Sequence, residues 1–122
     1  MPKVGTDPSK PLQICLDFLS VHVVAFRLRY RKPEDDEPTL IAVGTHRDDE
    51  RCHDVEEELS WGSVIDYRFL YADEADAEFE VEVSIQQDGE DVDCSPFVIT
   101  GPGGEFGVEG AIDIVDDCEA ED

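Results

Sequence analysis

The chain has 122 residues, of which 32 are Asp or Glu and nine are Lys or Arg, giving a formal charge of -23 and a pI near 4.1. This length suits one domain burying about 65% of its unfolded surface, and recurrent Val, Ile, Leu and Phe separate it from a disordered acidic chain. The charge excludes direct binding of nucleic acid or anionic membrane and points to a basic or polar protein partner. No run approaches the roughly 18 apolar residues of a membrane span and residues 1–10 hold no apolar signal core, so the expected location is cytoplasmic.

In chain order, residues 1–11 carry Pro2, Gly5, Pro8 and Pro11, which break helix and ladder alike and predict an extended leader. Leu12, Ile14, Leu16 and Phe18 alternate with polar or small residues, the period of a strand with one buried face. The same period runs over 21–31, with Val24, Phe26, Leu28 and Tyr30 on one side and Ala25, Arg27, Arg29 and Arg31 on the other. Residues 32–38, with two prolines and four consecutive acids, suit a solvated hairpin tip, and 39–45 reads as the returning strand. Residues 46–54 form a charged loop. Val55, Leu59 and Trp61 fit a short helix slightly better than a strand, because three glutamates lie between 55 and 59.

Residues 64–71 predict a strand with Ile65, Tyr67 and Phe69 on one face. Residues 78–86 show the cleanest alternation, Phe79, Val81, Val83 and Ile85 against Glu78, Glu80, Glu82 and Ser84. Asp88-Gly89 is a turn signal, which makes 78–86 and 92–100 antiparallel neighbours. Pro96 puts the second of these on an edge or delays its start. Gly101 to Gly104 turn the chain, 106–115 is a last strand weakened by Gly107 and Gly110, and 116–122 is an acidic, mobile tail. The expected fold is all-β: a single antiparallel β-sandwich over 12–115, of about seven or eight strands with at most one short helix, with immunoglobulin-like connectivity as one candidate. Trp61 is a candidate for a buried inter-sheet aromatic, although no Cys-Trp-Cys spacing of antibody domains is present.

Cys15, Cys52, Cys94 and Cys118 fit no Cys-x-x-Cys unit, and in cytoplasm reduced thiols are expected. Cys15 and Cys94 then pack as small hydrophobes, and Cys118 is exposed in the tail. His46, Cys52 and His53 hold metal-ligand chemistry at no recognised spacing, and a charged loop explains them better, as a strand position explains His22.

The acids carry the functional expectation. Glu78, Glu80 and Glu82 recur at about 6.8 Å along one strand face, and the Arg27, Arg29 and Arg31 row has the same period, so the two rows pair if their strands adjoin. Asp88, Glu90 and Asp91 crowd the next loop; a solvated hairpin accounts for them better than a calcium site. Three origins suit the acidity: adaptation to high salt, a surface for a basic partner, or mimicry of a phosphate backbone. No nucleophile, phosphate-loop, zinc or dinucleotide motif is present, so no catalytic residue, metal or cofactor is assigned. The reading is a non-enzymatic acidic protein-binding or assembly module that uses an exposed strand edge, with homo-oligomers one outcome, or the acidic face of Glu78, Glu80, Glu82, Asp88, Glu90 and Asp91. The alternative is an acidic inhibitor or DNA mimic in the basic site of a nuclease or DNA-binding protein, and the third reading is a small enzyme or calcium-binding domain.

Overall fold

The computed structural model describes residues 2–19, 23–34, 36–45, 51–55, 59–72, 79–101 and 106–118. All the regular elements in them are strands: β1 (Lys3–Gly5), β2 (Leu12–Phe18), β3 (Val23–Arg31), β4 (Thr39–Thr45), β5 (Cys52–Val55), β6 (Val64–Ala72), β7 (Phe79–Gln87), β8 (Glu90–Asp91), β9 (Phe97–Gly101) and β10 (Phe106–Val115). They form two sheets. The first has the order β1-β10-β6-β3-β4, and the second β5-β2-β7-β8, with β9 also paired to β7. The fold is a β-sandwich, antiparallel except where β1 pairs parallel with β10. Among the described residues no helix is long and apolar enough to cross a membrane.

Alternation decides which side chains meet between the sheets. Leu12, Ile14 and Leu16 of β2 and Val81, Val83 and Ile85 of β7 are buried on the second sheet, and they close against Phe26, Leu28, Tyr30, Ile65, Phe69, Ile112 and Ile114 of the first. Glu82, Ser84 and Gln86, the intervening residues of β7, are only half-buried, as their outward phase requires. The largest fully buried side chains are Tyr30 and Phe69, and the Tyr30 hydroxyl is satisfied by the Ser60 amide at 3.2 Å. Trp61 is not the inter-sheet aromatic. It sits on a turn, 52% exposed, where its indole N–H donates to the Thr6 carbonyl.

Four differences from the sequence reading have local causes. Within the proline-rich leader, Lys3–Gly5 is itself a strand, because three residues between Pro2 and Pro8 are enough for a short ladder with Asp113–Val115. Gln87, buried at the end of β7, then clamps the rest of the leader: its amide donates to the Asp7 and Lys10 carbonyls and accepts from the Asp7 N–H. Residues 52–54 leave the expected charged loop and, with Val55, pair with β2. The helix weighed for 55–61 is not formed by its described residues, where Val55 ends β5 and Trp61-Gly62 is a turn; residues 56–58 lie outside the described residues. Finally, Gly110 serves packing. A Cβ there would lie 2.5 Å from the Tyr67 hydroxyl on the neighbouring strand, so the absent side chain makes room for the ring.

The cysteines are bonded where free thiols were expected. Cys15 and Cys52 are directly opposed across β2 and β5, with Cα atoms 4.0 Å apart, and form a disulfide. Cys94, at φ +68°, is bonded to Cys118, which fixes the start of the acidic tail to the turn after β8. Neither fact is visible in the spacing, since each pair is brought together by strands distant in sequence. The rest of the tail, 119–122, lies outside the described residues.

Val81→Asp or Val83→Asp is expected to abolish the cooperative thermal melt, because an unpaired carboxylate in this layer costs several kcal/mol. Thiol titration of the unreduced, denatured chain is expected to find no free cysteine. Replacing Cys15 and Cys52 together by Ala is expected to lower unfolding stability by about 3–4 kcal/mol on the loop-closure account, measured by urea denaturation.

Candidate functional site

Three features of the surface carry chemistry: the outer face of the second sheet, the hairpin beyond β7, and the outer face of the first sheet. On the second sheet, Glu80 and Glu82 point outward from β7 as their phase predicts. Glu78 lies outside the described residues. Asp17 on β2 is directly opposite Glu82, which sets acid beside acid. Its outward phase in the first alternating run was the signal that could have added it to the row.

Asp88 and Gly89 form the two-residue turn between β7 and β8, with φ of +54° and +79° that suit a tight hairpin. The Asp88 carboxylate pairs with the Lys10 ammonium at 3.0 Å, which raises the Lys10 pKa. Glu90 and Asp91 are exposed on β8 and, with Asp7, Asp93 and Asp116, line a shallow groove of about 300 Å³ that also receives Lys10. Asp91 accepts a hydrogen bond from Ser95 Oγ at 3.4 Å. The Asp7 carboxyl is held below its ordinary value, chiefly by hydrogen bonds from the Ser9 hydroxyl and amide. Among the described residues no three carboxylate, imidazole or thiol groups come together as a metal site. The expected acidic surface is therefore in two parts, since Glu82 and the β8 acids, which pair with Gln86 and Gln87, are separated by about 14 Å of strand.

The arginine row does not neutralise the glutamate row. β3 adjoins β4 and β6, whereas β7 adjoins β2, β8 and β9, so the two rows face opposite sides of the sandwich. What β3 meets instead is Arg68: Arg27 and Arg68 are directly opposed across β3 and β6, and Arg29 opposes Asp66. Arg31 is the one of the row that finds a carboxylate, with Nε 3.3 Å from Asp66 Oδ2 and Nη2 3.5 Å from Oδ1. Arg27, Arg29, Arg68, Asp66, Glu109 and Ala111 line an open groove of about 360 Å³. Beside it, β4 places Val43 opposite Arg27 and Leu40 opposite Arg29, 62% and 57% exposed, across a bulge at Ile41. Arg68 was legible as an outward charge; its place beside Arg27 depends on a pairing of residues 41 positions apart.

His53, weighed as a metal ligand, packs its ring 5.5 Å from Phe26, and Cys52 is taken up in a disulfide. His46 and His22 lie outside the described residues. Comparison with protein-family models, with curated proteins and with solved structures finds no match.

Like charges directly opposite across strands destabilise by about 0.2–1 kcal/mol. Glu82→Gln is therefore expected to raise the melting temperature at low salt, with the gain vanishing near 1 M NaCl. NMR titration of the Asp7 carboxyl is expected to give a midpoint below 3.8. Because that folded pKa is depressed, its contribution to stability is present above the unfolded value and is lost as pH falls through the folded one.

Proposed function

We propose that the chain is a non-enzymatic assembly module that pairs through the β4 edge, with β4 of a second copy as the partner strand. The observation that carries this reading is the composition of that edge. In a chain where 34% of residues are charged, Thr39–Thr45 has no charge and no proline, and among the described residues it pairs on one side only, with β3. An edge of this kind is normally protected by lysine, proline or a covering element. The bulge at Ile41 twists the strand locally and leaves the segment from Ala42 to Gly44 regular. Antiparallel pairing of two such edges about a two-fold axis joins two five-stranded sheets into one and sets Leu40 and Val43 beside their counterparts. An uncharged strand selects an uncharged strand, and β4 is one.

The net charge makes the reading specific. Two copies at -23 repel, and salt shortens that repulsion without weakening an apolar seam. A second reading, an acidic inhibitor of a basic protein, is supported by Asp17 and Glu82 standing side by side on the second sheet, away from the arginine row. It predicts the opposite salt dependence. The two disulfides support an oxidising compartment, against the cytoplasmic location expected from the sequence.

Sedimentation equilibrium over a range of concentrations tests the assembly. The expected result is a monomer–dimer equilibrium that tightens between 0.1 and 1 M NaCl, with Val43→Lys monomeric throughout and its melting temperature unchanged. A wild-type chain that stays monomeric at every concentration and salt, or a Val43→Lys variant that dimerises as well as wild type, contradicts it.

A further inference from the structure

The groove on the outer face of the first sheet adjoins the β4 seam and stands apart from the acidic surfaces of the second sheet. Arg27, Arg29 and Arg68 meet there, three of the nine cations of a chain with 32 acids. Among the described residues none of the three forms an ion pair, although carboxylates are abundant everywhere else. Arg27 and Arg68 are directly opposed across the ladder, an arrangement in which like charges repel. The Nε of Arg29 is buried and has no hydrogen-bond partner, so one donor of a charged fork is withdrawn from water with no protein acceptor.

The carboxylates of the groove leave it cationic. Asp66 is matched by Arg31, which lies outside the groove and grips both its oxygens. Glu109 is then the one acid set against three guanidinium groups, and the local charge is about +2. Glu109 is directly opposite Arg68 in the ladder, yet the two are not joined by a salt bridge. On the floor, Ala111 shares the outward phase of Glu109 and carries only a methyl group, which leaves the face of β6 accessible between β3 and β10. The open volume of about 360 Å³ exceeds what a single oxyanion needs and suits one carried on a larger group.

We infer that this groove binds a divalent oxyanion of the phosphate class, free or as a phosphomonoester, held by Arg27, Arg29 and Arg68. A phosphate dianion matches the local charge, and its tetrahedral oxygens can take forked N–H donors from more than one guanidinium. Chloride carries a single charge and has no oxygens to receive a forked donor. At physiological ionic strength the Debye length is about 8 Å, so the acids of the opposite sheet are screened from the groove while its own guanidiniums act at contact distance. The same screening lets an anion approach a chain whose total charge opposes it.

Titration of the 15N-labelled chain tests this, with inorganic phosphate replacing NaCl at constant ionic strength and the arginine Nε–Hε resonances as the readout. The expected result is a saturable shift of Arg27, Arg29 and Arg68 with phosphate and none with chloride. Arg27→Gln and Arg68→Gln are each expected to weaken binding at least tenfold with the melt retained, and Glu109→Gln, which removes the opposing carboxylate, to tighten it severalfold. A phosphoserine peptide titrated in parallel separates the two sources: tighter binding than inorganic phosphate identifies an esterified ligand, and equal binding identifies the free ion. Absence of a saturable shift at 50 mM phosphate, or equal affinity in folded Arg27→Gln, Arg68→Gln and wild type, overturns the assignment.

Discussion

The layer between the two sheets is the constraint from which the rest follows. Residues from every strand of any length contribute to it, among them Leu16, Leu28, Phe69, Val83 and Ile112, and each of these is nearly or wholly removed from water. A chain with a formal charge of -23 can seal such a layer only if its core-facing positions hold no ionised side chain, because one turned inward carries a desolvation cost that no partner there offsets. The charge is thereby driven onto the two outer faces and the loops. What lies on each outer face is then decided by which strands are neighbours.

That division produces a molecule with unlike sides. The second sheet shows carboxylates outward, with Asp17 and Glu82 adjacent, and the first shows a cluster of arginines with Leu40 and Val43 beside it. At the margins, side-chain hydrogen bonds and disulfides hold what the ladders do not: Gln87 grips the leader, Cys94 grips Cys118, and Cys15 fastens β2 to the short strand β5. Among the described residues, β4 is the longer of two edge strands that carry no charge, the other being β9. The proposed assembly edge and the proposed anion groove both rest on this arrangement.

Local patterning made much of this legible. Period-two alternation predicts β2 at its observed bounds, the strands expected over 39–45 and 106–115 coincide with β4 and β10, and Asp88-Gly89 marks its hairpin because only residues that tolerate positive φ suit that turn. Pro96 delays β9 as a residue without an N–H must. The misses are of another kind. β1, β5 and β8 are too short to show a period, and they form because a neighbouring strand offers an edge. Both disulfides, the separation of the arginine and glutamate rows and the meeting of Arg27 with Arg68 depend on strand order, which alternation cannot reveal. Glu80, Glu82, Glu90 and Asp91 were legible as outward acids, but not that they would form two surfaces rather than one.

Strand order is therefore where the account is most exposed, and backbone nuclear Overhauser contacts across β3 measure it most directly. The account predicts contacts from the Arg27 backbone to Arg68 on one side and to Val43 on the other. Contacts from Arg27 or Arg29 to Glu80 or Glu82 would instead put the two charged rows on one face, and would contradict both the cationic groove and the separation of faces on which it rests.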